Sequence, residues 1–209
     1  GNDGMEIHMH GNGQDQIAQI HKSGELVIHG DVGQCYGYGS KGGLMFVLGN
    51  AAGRPMINSV GSPRLVINGT ALDYLAESFM AGDPLNGGGF VIVNGLRFDD
   101  KGRIVPLETP YPGSNLFSLS SGGAIYMRDP YERLSSSQLN GGEFTELTEA
   151  DWAVIEPVLL RNEVHFDIAL EDLLMVGGQR RSPYEVYRKI IPVKSKTLHP
   201  EAAWAGHQD

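Results

Sequence analysis

An all-β solenoid followed by a short helical C-terminal segment is the fold that this 209-residue sequence predicts, on three observations. The first is a count of 29 glycines, about twice the share of an average chain, with no every-third register of the collagen kind. At 41% hydrophobic residues the chain is also apolar enough to bury a core, unlike a glycine-rich unfolded tail. The second is a set of four apolar runs that each close on glycine: Glu25 to Gly30, Leu44 to Gly49, Arg64 to Gly69 and Phe90 to Gly95. Their terminal glycines stand 19, 20 and 26 residues apart, the period of a stacked repeat. The third is the pattern within the runs. Four and two places before each glycine come Leu26 and Ile28, Met45 and Val47, Leu65 and Ile67, Val91 and Val93, a buried face at strand period.

The elements follow in order. The place just before the terminal glycine holds His29, Leu48, Asn68 and Asn94, which predicts an outward or corner position where asparagine can ladder. Glycine pairs at Gly42-Gly43, Gly88-Gly89, Gly122-Gly123 and Gly141-Gly142 mark further turns, and apolar runs from Ala124 and Phe144 follow the last two. The glycines expected to carry this framework are Gly30, Gly33, Gly37, Gly39, Gly42, Gly43, Gly49, Gly69, Gly88, Gly89 and Gly95. Two segments break the rhythm, Asp83 to Asn86 and Asp99 to Ser121, and are read as loops inserted on one side.

After Leu147 the period changes. Thr148-Glu149-Ala150-Asp151 has the spacing of a capping box with Asp in place of the stronger Glu, and Trp152, Ile155 and Leu159 follow at helical intervals. Pro157 predicts a break into two short helices. Ile168 to Val176 adds a third apolar turn, and Tyr184 to Val193 leads into a polar tail expected to be disordered. Short helices over the end of the stack would protect its open edge. The division is a β domain over 1–147, a helical capping segment over 148–196 and a polar tail over 197–209.

A net charge of −9 repels a phosphate backbone, which argues against nucleic acid as a partner. No run of 18 apolar residues exists to cross a membrane as a helix. The single cysteine, Cys35, forms no internal disulfide and supports no zinc or iron–sulfur site unaided. A reducing, cytoplasmic setting is the expectation. The sequon Asn68-Gly69-Thr70 reads as a turn.

Several motifs invite chemical readings. Gly37-Tyr38-Gly39-Ser40-Lys41-Gly42 matches G-x-G-x-x-G, yet a strand-like run follows where a dinucleotide fold needs a helix, and Ile57 to Leu65 offers no acid for a ribose. Consecutive turns are the better reading. The Walker order of glycine, lysine, then serine or threonine is missing around Lys41. Cys35 lies between turns, near Tyr36, Tyr38 and Lys41, and is read as a small half-buried residue rather than a nucleophile. His8 and His10 share one face of a strand, a geometry that can hold a metal, but with Glu6 as the sole nearby acid and His21 and His29 scattered, a surface strand is favoured. His165 reads as a packed helical residue, and Glu143, Glu146, Glu149 and Asp151 as charge complements to a helix start. The expectation is therefore no catalytic, cofactor or metal residue on this chain.

The stretch Gly30-Asp31-Val32-Gly33-Gln34-Cys35-Tyr36-Gly37-Tyr38-Gly39-Ser40-Lys41-Gly42-Gly43, with Gly49 to Gly53 and Ile57 to Gly61 after it, resembles the G-x-G-x-G domain that closes the large subunit of glutamate synthase. The likeness continues through Tyr74, Phe79-Met80-Ala81-Gly82 and Gly88-Gly89 to Tyr187-Arg188-Lys189-Ile190, covering roughly residues 24–196. The same domain type forms a subunit of formylmethanofuran dehydrogenase and related formyltransferase complexes. The resemblance implies a right-handed parallel β-helix without catalytic residues of its own. It further implies a bracing role beside a glutaminase and a synthase, with FMN and iron–sulfur clusters on those partner subunits. Three expectations stand: a scaffold in a glutamate-synthase-like oxidoreductase, the equivalent scaffold in a formyl-transferring complex, or a small-molecule binding protein using Cys35, Tyr36 and Tyr38. Self-association is left open.

Overall fold

The computed structural model describes residues 3–193; the expected polar tail over 197–209 lies outside them. In chain order the elements are β1 (Glu6–His10), β2 (Glu25–His29), β3 (Leu44–Val47), β4 (Arg64–Ile67), β5 (Phe90–Val93), β6 (Leu96–Phe98), β7 (Ile104–Pro106), β8 (Ala124–Arg128), β9 (Gly142–Thr145), α1 (Glu149–Phe166), α2 (Leu170–Leu173), β10 (Met175–Val176), β11 (Gln179–Arg180), α3 (Pro183–Val186) and β12 (Tyr187–Pro192). Eight strands form one sheet in the order β1-β2-β3-β4-β5-β8-β12-β9. Its first six strands run parallel, and β12 pairs antiparallel with both β8 and β9. Two small antiparallel sheets, β6-β7 and β10-β11, lie apart from it.

This corrects the all-β expectation. The fold is mixed α/β, with an 18-residue helix over the sheet, and among the described residues the strands do not close into a parallel β-helix or any other solenoid. The reason lies in the apolar runs. Leu26, Met45, Leu65, Val91 and Ile125 are register partners and pack into one core with Ile28, Val47, Ile67, Val93 and Met127, as their spacing predicts. The residues between them, Val27, Phe46, Val66, Ile92 and Tyr126, are also buried. Parallel strands with two apolar faces need cover on both sides, and α1 provides it with Ile155, Val158 and Leu159 in the second core.

The stretches between strands are turns rather than strands. In five of them three alternate residues have positive φ: Gln16, Ala18, Ile20; Cys35, Gly37, Gly39; Arg54, Met56, Asn58; Tyr74, Ala76, Ser78; and Asn115, Phe117, Leu119. Each turn bonds main chain to main chain with its neighbours: Cys35 N donates to Gly53 O, Gly37 N to Ile17 O, Gly39 N to Ile57 O. The bonds repay the strain of left-handed residues that are not glycine. A second ladder joins strand ends. Asn12 Oδ1 accepts from Asp31 N at 2.9 Å, Asp31 Oδ1 from Asn50 N at 2.7 Å, and Asn50 Oδ1 from Thr70 N at 3.0 Å. A Cβ at Gly49 would overlap the Asp31 carboxylate, and one at Gly69 the Asn50 amide, so the recurrent terminal glycines are sites of close approach.

The inserted segments are smaller than expected. Pro84–Asn86 is one 3-10 turn capped by Asp83. Of the stretch from Asp99 to Ser121, the first part completes the β6-β7 hairpin, while Ser114 to Ser118 rejoins the stacked turns, with Tyr74 N on Ser114 O and Ser78 N on Ser118 O.

Pro157 does not divide α1. Pro157 and Ala153, whose carbonyl the missing N–H leaves free, are both on the exposed side, where water can take that carbonyl. The expected cap at Thr148 is present, with Thr148 and Asp151 bonded reciprocally. The segment after Leu147 covers the edge of the last parallel strand with a strand, β12 on β8, rather than with helices. Helix α1 lies across the face of the sheet, and β12 enters the sheet between β8 and β9.

Candidate functional site: a histidine and carboxylate cluster at the sheet edge

Helix α1 crosses the sheet from β8 to β1. Its start is held by Asp151, which is buried and takes hydrogen bonds from Tyr126 Oη at 2.8 Å, Lys189 Nζ at 2.6 Å, and Thr148 N and Oγ1 at 3.0 and 2.7 Å. Burial works to raise the Asp151 pKa, but the bonds from Lys189, Thr148 and Tyr126 outweigh it and hold the carboxyl below the usual aspartate range. Midway, Asn162 and Asn68 exchange two amide bonds of 2.9 Å, Asn94 donates to Asn68 Oδ1, and Tyr187 Oη donates to Asn94 Oδ1 at 2.8 Å. The asparagine ladder foreseen at Asn68 and Asn94 thus exists, but buried under α1 rather than outward. With its amide so engaged, Asn68 is no accessible sequon.

Near its last turn α1 meets the polar end of the same face. Successive outward positions of β1 are Glu6, His8 and His10, and those of β2 include Glu25 and His29, because strand residues two apart share a face. On α1, Arg161 and His165 are four apart and so project together. Arg161 Nε bonds Glu25 Oε2 at 2.9 Å and its Nη2 bonds Glu6 Oε2. His165 places Nε2 3.0 Å from Glu25 Oε2 and Nδ1 3.8 Å from Glu6 Oε1. His8 places Nε2 2.6 Å from Glu6 Oε1 and Nδ1 2.9 Å from His29 Nε2. The His10 and His29 rings stack at 4.3 Å, and Phe46 lies 4.8 Å from the His165 ring centroid. The bond from His8 does most to depress the Glu6 pKa; partial burial opposes it, and Arg161 and His165 add to the lowering. His29 is shifted down by partial burial first and by its neighbours His10, His8 and His165 after that.

The arrangement assembles two carboxylates, four imidazoles and one guanidinium, a set suited to proton exchange or to holding a cation. In the sequence, Glu6, His8 and His10 read as a lone surface strand and His165 as a packed helical residue. Packed it is, at 2% side-chain exposure, but against the β1 residues. His29 read as scattered from the His8 and His10 pair, and neither Glu25 nor Arg161 read as a site residue. Their only signal was periodicity: Glu25 and His29 on one strand face, Arg161 and His165 on one helix face.

The other candidates do not assemble. Gly37 and Gly39 spend their N–H groups on neighbouring turns, and the next element is the strand β3. Cys35 is half-buried, Tyr36 is fully buried with its hydroxyl unpartnered among the described residues, and Tyr38 lies at the surface beside Asn58. Burial pushes the Tyr36 pKa upward. His21 is buried on its own against Gly43. Among the described residues, no helix is long and apolar enough to cross a membrane.

No protein-family model matches this sequence, and no curated protein matches it at a significant level.

Proposed function

We propose that this chain is a structural subunit of a multi-subunit, glutamate-synthase-like oxidoreductase, working in the cytoplasm beside a glutaminase and a synthase that carry FMN and iron–sulfur clusters. One observation carries this reading. The G-x-G-x-G segment that bears the family resemblance puts its main-chain groups into bonds between stacked turns, from Gly37 N to Ile17 O and from Gly39 N to Ile57 O, which supports a structural rather than a ligand-binding role for it. The outward face of α1 supports it. Ala153, Pro157, Leu160 and Val164 form an apolar stripe at helical spacing, with Leu160 47% and Val164 71% exposed.

The test is gentle purification of the tagged chain from its native host, followed by mass spectrometry of what accompanies it. A glutaminase and a flavin or iron–sulfur synthase in fixed ratio support the proposal, while formyl-transferring partners would favour the equivalent scaffold in that other complex. Recovery of the chain alone would overturn both. A Leu160→Glu, Val164→Glu variant that keeps its melting temperature should lose those partners.

A further inference from the structure

We propose that Glu6, His8 and His165 form a binding site for one divalent transition-metal ion of the zinc type, an inference independent of the scaffold reading. One ligand atom from each lies within 4.8 Å of the others, and Glu6 Oε1 is the oxygen that both His8 Nε2 and His165 Nδ1 approach. A tetrahedral zinc ion with bonds of about 2.0–2.1 Å needs its ligand atoms about 3.4 Å apart. The separations here are 2.6 Å between His8 and Glu6 and 3.8 Å between His165 and Glu6. The third separation, between the two imidazoles, is at most 4.8 Å, so relative shifts of up to about 1.5 Å convert one geometry into the other.

The outer partners are already in place. A ligating imidazole offers one nitrogen to the metal and holds its other N–H on an acceptor, which fixes the ring. His165 has Nε2 on the Glu25 carboxylate at 3.0 Å, leaving Nδ1 turned toward Glu6. His8 has Nδ1 on His29 Nε2 at 2.9 Å, leaving Nε2 turned toward Glu6. With the His8 proton on Nδ1 and donated to His29, the ion takes the place of the proton between His8 Nε2 and Glu6 Oε1. Glu6 keeps its second oxygen on Arg161, which also holds Glu25.

The charges agree. Two carboxylates face one guanidinium, so with neutral imidazoles the cluster is one charge short of balance and favours a cation. Two imidazoles and a carboxylate suit zinc, copper or nickel rather than calcium or magnesium. Glu6 is 42% and His8 34% exposed at the side chain, so the ion can enter and a fourth position faces solvent. A bound ion would tie the edge strand β1 to the end of α1.

The experiment is titration of the full, tag-free chain with zinc chloride, read by calorimetry and by metal content after dialysis, with X-ray absorption on the loaded protein. The expected result is one zinc per chain, a first shell of nitrogen and oxygen, and a raised melting temperature. His8→Ala and Glu6→Gln should each weaken binding by roughly tenfold or more. His10→Ala, which removes a stacked ring but no ligand, should leave it unchanged. Melting of each variant without metal reports its folding, and His8 and Glu6 are exposed enough for their replacement to leave the core intact. No uptake at millimolar zinc, unchanged uptake in folded His8→Ala, equal loss in His10→Ala, or sulfur in the first shell would each overturn the assignment.

Discussion

The two ends of helix α1 rest on the same sheet face and are held in opposite ways. At its start, Asp151 is buried and takes four hydrogen bonds from Tyr126, Lys189 and Thr148, so charge and lone pairs are used up inside the protein. At its far end Arg161 and His165 meet Glu6, Glu25, His8 and His29 in a half-exposed cluster whose donor atoms converge on one point. The difference is one of saturation. A fully satisfied network fixes the helix, whereas a partly exposed one retains capacity for a proton or an ion.

The largest expected effect comes from breaking the saturated end. Lys189→Met leaves Asp151 buried without its counter-charge and should cost about 3–5 kcal/mol in urea unfolding near neutral pH. Acid sharpens that result. The folded-state pKa of Asp151 lies below its usual value of 3.8, so its contribution is complete above roughly pH 4 and is lost as pH falls through the lowered value. Without Lys189 the carboxyl protonates more readily, so the gap between wild type and variant should narrow at pH 3, and a gap that widens would refute the account. An intermediate effect is expected midway, where Asn162→Leu removes both bonds to the buried Asn68 amide, which keeps Val47 O and Asn94 as partners, at a cost of about 1–3 kcal/mol. The smallest effect belongs to the open end. Arg161→Met breaks pairs that are about one-third exposed and should cost under about 1 kcal/mol, shrinking further in high salt. A cost at Arg161 as large as that at Lys189 would erase the comparison.

What could be read from the sequence follows the same physics. The inward column from Leu26 to Val93 was legible because strand residues alternate and the runs keep their register with the terminal glycines. The helical layer is not legible from the alternate positions alone, which mark one buried face; Val27, Phe46, Val66 and Ile92 in between are equally apolar and require a cover. The Pro157 break failed because a proline on a solvent-facing turn gives up a bond that water replaces. The edge cluster was half legible. Glu6, His8 and His10 declare a shared face, but Arg161 lies 155 residues from Glu6 and His165 lies 140 from Glu25. Only the path of α1 across the sheet joins them.

The turns that bond through main chain have a consequence for how such a chain can vary. Tyr74, Ala76 and Ser78 make the same class of bonds as Arg54, Met56 and Asn58, although the two sets share no residue type. Adhesion there is indifferent to side-chain identity, so the turn surface can drift in sequence while the architecture stays put. Length is then counted in whole units, each adding about 4.8 Å along the sheet. A chain of this kind works as a ruler graduated in strands, and gaining or losing a graduation would move whatever is fastened at β1 relative to whatever is fastened at β9 by one fixed step.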